Sequence, residues 1–161
     1  MARAPLSLRA RALRLLGMRE HSRAELQRKL APHELEPGEL APVLDDLEAK
    51  GLISQDRVAA SVLHQRAPKL GLLRIKQELM RKGLDAQVVA QTLAGLQASE
   101  VSRARAVWWK KFGEQPASGP ERARQMRFLL SRGFSTQTIA QVLGKGAHEP
   151  DPHESIASDE D

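Results

Sequence analysis

Two stretches fifty residues apart decide the fold: Leu79-Met-Arg-Lys-Gly-Leu-Asp-Ala-Gln-Val-Val-Ala-Gln-Thr-Leu93 and Leu129-Leu-Ser-Arg-Gly-Phe-Ser-Thr-Gln-Thr-Ile-Ala-Gln-Val-Leu143. Laid over one another they match Gly83 with Gly133, Gln87 with Gln137, Ala90 with Ala140 and Gln91 with Gln141. In both, apolar residues recur at helical spacing on either side of a glycine, a residue that takes positive φ cheaply, so each stretch reads as helix, tight turn, helix. A weaker copy lies upstream. Glu25-Leu-Gln-Arg-Lys29 matches Glu78-Leu-Met-Arg-Lys82 at an offset of 53, while Leu40, Leu44 and Leu47 match Val89, Leu93 and Leu96 at an offset of 49. The difference is an insertion in the turn Ala31-Pro-His-Glu-Leu-Glu-Pro-Gly38, which Pro32 and Pro37 force out of helix. The repeating unit is therefore three helices, the second and third joined much as in a helix-turn-helix, and three such units are predicted to stack into an elongated, curved body.

Helical spacing covers nearly the whole chain, and the β-branched and aromatic clusters expected of strands are missing. The fold class is predicted to be all-α, with helices near 7–16, 22–31, 38–50, 54–67, 71–82, 85–98, 99–112, 120–132 and 135–143. Gly17, Gly51, Gly83, Gly113, Gly133 and Gly144 each follow an apolar-periodic run and read as stops. Ser22 precedes Glu25 at capping-box spacing, Ser54, Asp85 and Ser135 suit N-caps, and Pro120 suits a first helical position. The repeats are placed at 7–50, 54–98 and 99–144, with a loop at 114–120, and residues 145–161 read as a disordered acidic tail.

Composition removes most functional classes. The 161 residues are 41% apolar and 28% charged, with no apolar run near the eighteen residues of a membrane span and no uninterrupted apolar core after the N-terminal arginines, so a cytoplasmic address away from membranes is expected. The absence of cysteine removes disulfides, iron–sulfur clusters, thiol nucleophiles and cysteine zinc sites. No two of His21, His33, His64, His148 and His153 stand four apart, as a helical zinc site needs. Gly144-Lys-Gly146 lacks the flanking strand and helix of a phosphate loop, and the carboxylates of Asp45 and Asp46 diverge by about 100° on a helix. No enzyme, cofactor or metal site is expected. With aromatics at 3% and no tyrosine, stacking platforms for single strands are disfavoured as well.

Charge is the remaining signal. Residues 147–161 hold six acids and no Lys or Arg; with those set aside, the formal +5 of the chain becomes +11 for its body. Such a body should seek a polyanion or an acidic protein surface; the tail reads first as a solubility tail and second as a weak competitor for the same sites. The basic residues recur with the repeat. Arg23, Arg28, Lys29, Arg74, Lys76, Arg81 and Lys82 fall on the second helices of the first two units, and Arg103, Arg105, Lys110, Lys111, Arg122, Arg124, Arg127 and Arg132 crowd the third. If Arg28-Lys29, Arg81-Lys82 and Arg132 end equivalent helices, stacking repeats the positive spots along one side, spaced to follow a polymer. Cations at helix C-termini also simply oppose the helix dipole. Trp108 and Trp109 diverge on a helix, which makes one core and the other rim.

The ordered set Ser22-Arg23-Ala24-Glu25-Leu26, Leu44-Asp45-Asp46-Leu47-Glu48-Ala49-Lys50-Gly51-Leu52-Ile53, Asp56-Arg57, Gly71-Leu72-Leu73-Arg74-Ile75-Lys76-Gln77-Glu78-Leu79, Lys82-Gly83, Lys111-Phe112 and Phe128-Leu129-Leu130-Ser131-Arg132-Gly133-Phe134 resembles the RecX family, regulators of the RecA recombinase. The resemblance spans about residues 10 to 144. Val58 and Leu52 stand where the family often has aromatics, which look like core exchanges, and the Pro-rich insertion and acidic tail lie outside the shared pattern. What the resemblance implies is a cytoplasmic bacterial protein of three tandem three-helix repeats. Such proteins bind in the groove of the RecA filament on DNA and modulate, mainly downward, its growth, ATP hydrolysis, strand exchange and stimulated repressor cleavage, in DNA repair, recombination and the SOS response. Joined to the charge pattern, it predicts a monomer whose arginines face DNA phosphates, single- or double-stranded, and acidic protomer surfaces. The alternative from another class is a regulator that reads a duplex with one helix-turn-helix unit, for which Gln87, Gln91, Gln137 and Gln141 are the best-suited side chains.

Overall fold

The computed structural model describes residues 5–144. Among them are nine α-helices and no strand: α1 (Leu8–Met18), α2 (Arg23–Leu30), α3 (Leu40–Ala49), α4 (Gln55–Arg66), α5 (Leu72–Arg81), α6 (Ala86–Gln97), α7 (Glu100–Lys111), α8 (Gly119–Ser131) and α9 (Thr136–Leu143). None is long and apolar enough to cross a membrane. The tail from residue 145, read as disordered from the sequence, lies outside the described residues.

Serine hydroxyls start most of the helices. Ser7, Ser22, Ser54, Ser118 and Ser135 each accept an N–H of the following first turn, and Ser22 with Glu25 forms the complete reciprocal box. Pro32 sits in a short 3-10 turn, Ala31–His33, rather than in open loop. Two local expectations are corrected and a third holds in position only. Gly17 lies inside α1, which ends where Arg19 turns extended and leads into the Ser22 cap. Pro120 is the second helical residue of α8, behind the Ser118 cap and Gly119. Asp85 stands at the N-cap of α6 as expected, but its side chain makes no capping bond, because its carboxylate is taken by Gln55 Nε2 at 2.7 Å while its own N–H donates to Gln55 Oε1 at 2.7 Å. The pair ties the start of α6 to the start of α4.

Each trio of helices closes its own core. Ala12, Leu26, Leu30, Leu44, Leu47 and Ile53 bury one another in the first, Val58, Val62, Ile75, Leu79 and Val89 in the second, and Ala104, Trp108, Leu129, Phe134 and Ile139 in the third. The repeat explains the centres: Leu26, Leu79 and Leu129 are equivalent positions and all three are wholly inaccessible to solvent. Burial of such a leucine is worth about 1.5–3 kcal/mol, so no single helix, at eight to thirteen residues, stands without its partners. Substantial helix packing stays inside each repeat.

The repeats join tail to head through their second helices. The backbone carbonyl of Lys82, which caps the C-terminus of α5, accepts the hydroxyl of Ser22, the N-cap of α2. One repeat further on, the carbonyls of Arg132 and Gly133, ending α8, accept the N–H groups of Gly71 at 2.8 Å and Leu73 at 3.1 Å, at the start of α5. Carbonyls that a helix end leaves free thus meet donors at a helix start, the cap hydroxyl at the first junction and free N–H groups at the second, with the dipoles in favourable order. The turn glycines make the approach possible. Gly83 (φ 74°) abuts Ala24, and Gly133 (φ 87°) abuts Arg74; a Cβ on Gly71 would sit on the Gly133 carbonyl.

Candidate polyanion-binding surface

The fifteen basic residues singled out from the sequence separate into two sets. Four are half-buried and bind the molecule to itself, Arg122 among them through the carbonyls of Leu143 and Gly144. Arg23 pairs with Asp45 at 2.6 Å and Glu48 at 2.8 Å across α2 and α3, which raises its pKa above the usual arginine value. Lys82 pairs with the buried Glu25 at 3.1 Å across the first junction. Arg103 reaches back from α7 to the carbonyls of Ala67 and Leu70, at 2.9 and 2.7 Å, and so fixes the α4–α5 connection against the third repeat. Its Nη2 is buried without a partner among the described residues, and burial lowers the guanidinium's pKa from its usual value.

The others, Arg28, Lys29, Arg74, Lys76, Arg81, Arg105, Lys110, Lys111, Arg124, Arg127 and Arg132, are exposed, and none has a carboxylate partner among the described residues. Six of them, Arg28, Arg74, Arg81, Lys110, Lys111 and Arg132, lie beside the junctions. At the first, Arg28 Nη1 points to the backbone carbonyl of Arg81 at 3.5 Å, which sets the Arg28 guanidinium against the C-terminal end of α5 in the next repeat. A shallow polar groove then runs along α5, lined by Arg66, Arg74, Gln77, Glu78 and Arg81. At the second junction a groove of about 470 Å³ is rimmed by Lys69, Lys110, Lys111 and Arg132 over a floor of Pro68, Val107 and Phe128. Here the arginines are held by rings: the Arg132 guanidinium lies 5.0 Å from the Phe128 centroid and that of Arg124 lies 5.7 Å from Phe112. The two phenylalanines pack edge to face, so the cations stand on a rigid base.

Arg66 and Lys69 complete these grooves and were not singled out from the sequence; Lys69 lies outside any helix, and only the Gly71–Gly133 approach brings it next to α7 and α8. Exposed apolar side chains interleave with the cations. Met80 and Leu130 occupy equivalent positions on α5 and α8, and Leu73 lies two turns before Met80. The third helices differ. Gln87, Gln91, Gln137 and Gln141 are exposed, but α6 and α9 carry no Lys or Arg.

The first junction also sets the ionisation of its acid. Burial pushes the Glu25 carboxyl up, but the Ser22 N–H, Arg19 and Lys82 together outweigh it and hold the group at about 2. His21, buried next to it with Nδ1 3.0 Å from the Arg19 carbonyl, is held below its ordinary value by burial.

Three end-linked three-helix units with a cationic edge define a class of tandem helical-repeat protein. Family models describe its parts: residues 9–47 match the first three-helix domain of RecX, 54–93 the second and 98–143 the third. The chain is 52% identical over 149 residues to the regulatory protein RecX of Leptothrix cholodnii, covering 92% of this chain and 95% of that one. It is 48% identical over 143 residues to the regulatory protein RecX of Ralstonia nicotianae, covering 89% and 90%. The crystal structure of RecX from Lactobacillus salivarius shares the fold, with a TM-score of 0.72 at 19% identity, over 84% of this chain and 92% of that one. The chain belongs to the RecX family of regulatory proteins.

Proposed function

We propose that the chain is a non-enzymatic modulator, mainly negative, of the RecA recombinase, acting as a monomer that lies in the groove of the RecA filament on DNA. The observation that carries this reading is the recurrence of exposed, unpaired cations at both repeat junctions, Arg28 with Arg81 at one and Lys69, Lys110, Lys111 and Arg132 at the other. Between them lies α5, ten residues and so about 15 Å long. A molecule with charge clusters at such an interval suits a regularly repeating anionic partner: phosphates on a strand, or carboxylates on successive identical subunits. Small rigid units linked end to end follow a curved groove by slight adjustment at each junction. Bound there, the protein bridges subunits and opposes filament growth, ATP hydrolysis and strand exchange.

The lack of Lys and Arg on α6 and α9 favours this reading over sequence-specific reading of a duplex, since a recognition helix normally anchors itself on phosphates. The test is RecA's DNA-dependent ATP hydrolysis with the purified protein at one molecule per ten or more RecA subunits. The rate is expected to fall, more steeply at low salt; a rate unchanged at equimolar protein would end the proposal.

A further inference from the structure

The described chain stops at Gly144 beside an exposed tryptophan. Arg122 holds that end: Nη1 donates to the Leu143 carbonyl at 3.0 Å and Nη2 to that of Gly144 at 2.6 Å, while Gln115 Nε2 donates to the Val142 carbonyl at 3.1 Å. Val142 is one wall of a groove of about 640 Å³ whose other walls include Arg105, Trp108, Trp109 and Gln115. Trp108 fills the core and hydrogen-bonds Gln125, but Trp109 is 65% exposed, an amount of uncovered apolar surface that solvent does not favour. Ala106 joins this groove to the one rimmed by Lys110, Lys111, Lys69 and Arg132, so one continuous strip of α7 leads from the chain's exit to the cation cluster of the second junction.

We infer that the chain's own acidic tail, residues 147–161, docks along this strip, covering Trp109 and pairing its carboxylates with Arg105, Lys110 and Lys111. Three observations select this occupant. Charge is complementary: the tail has six acids and no Lys or Arg, and the strip is basic with no carboxylate partner for those three residues among the described ones. Reach is ample, because seventeen residues beyond Gly144 extend up to about 55 Å. The tether also helps: a segment anchored at the edge of its site acts at an effective concentration of about millimolar, so weak ion pairs suffice. Ile156, Pro150 and Pro152 supply apolar surface for the tryptophan. The docked tail masks Lys110 and Lys111. On the proposed reading of function, which this consequence alone rests on, it is a self-restraint that a more highly charged partner displaces.

The experiment uses the full chain beside a full-length variant with the six acids neutralised (E149Q, D151N, E154Q, D159N, E160Q and D161N), with neither RecA nor DNA present. Acrylamide quenching of tryptophan emission reads Trp109, since Trp108 is buried. The quenching constant of the natural chain is expected to be about half that of the variant at low salt, and the two should converge near 1 M salt, where charge is screened beyond about 3 Å. Zero-length carbodiimide coupling, mapped by mass spectrometry, should join tail carboxylates to Lys110, Lys111 or Lys69 within one molecule. Equal quenching at low salt, coupling only to lysines elsewhere, or coupling only between copies in a mixture of light and isotopically heavy protein would overturn the proposal. Added oligo-dT should bind the variant several-fold more tightly than the natural chain. If docking is seen but that difference is not, the docking stands and the role given to Lys110 and Lys111 in polyanion binding falls.

Discussion

The two junctions use one plan and opposite materials. Where α5 meets α2, the contact is made by side chains: Ser22 to the Lys82 carbonyl, Lys82 and Arg19 to Glu25, and Arg57 to Glu20 at 2.9 Å. Where α8 meets α5, backbone meets backbone, Gly71 against Gly133, and side chains add to it: the Leu72 N–H donates to Glu100 at 3.1 Å, Glu100 in turn accepts the Thr138 hydroxyl at 2.7 Å, and Arg103 donates to the Ala67 and Leu70 carbonyls. A joint of ion pairs answers to pH and salt, whereas a joint of close-packed backbone answers to volume. The first repeat is therefore expected to be the more adjustable end of the body and the second and third its stiffer part.

The largest effect should come from volume. Gly71→Ala places a methyl group against the Gly133 carbonyl and is expected to cost about 3 kcal/mol and to uncouple repeat three, seen as a second transition in urea unfolding. Arg103→Met removes two carbonyl contacts but also a buried, unpartnered N–H, so a smaller loss of about 2 kcal/mol is expected in the same measurement. At the first junction, Glu25→Gln should cost about 1–2 kcal/mol, with less dependence on salt remaining afterwards. Ser22→Ala, which loses the cap and the link to Lys82, should cost about 1 kcal/mol.

Acidification sharpens the contrast. Glu25 titrates near 2 when folded against 4.5 unfolded, so its stabilisation is whole above about pH 4.5 and is lost as pH falls toward 2. His21 is kept neutral by burial, so a further loss begins as pH drops through 6.5. Hydrogen-exchange protection should accordingly fall at the Ser22 N–H, which donates to Glu25, at a higher pH than at the Gly71 N–H, which donates to Arg132. Simultaneous loss would contradict the division between the joints.

Much of this was legible from residues alone. Glycine stops, serine caps and the fifty-residue repeat locate the helices because those signals act within one turn of chain. Gly17 and the side chain of Asp85 misled because the deciding partners, the Ser22 box and Gln55, lie beyond that turn. Gly83 and Gly133 were readable as helix stops but not as docking points, since the abutting residues are fifty or more positions away. The basic surface was legible as a set and not residue by residue. Arg81 and Lys82 look alike in sequence, yet about 100° of helix rotation turns one outward and the other onto Glu25.

The proposal is that the exposed cations at the junctions engage a repeating polyanion. Its most direct test is the affinity for RecA-coated single-stranded DNA of Arg81→Glu/Lys110→Glu beside a control of equal charge change away from the junctions, Arg14→Glu/Lys50→Glu, both shown to fold by circular dichroism. The junction pair is predicted to weaken binding by about tenfold or more and to flatten its salt dependence, while the control stays within about twofold. Equal losses in the two variants would mean that net charge, and not the placement of cations at the repeat junctions, governs binding.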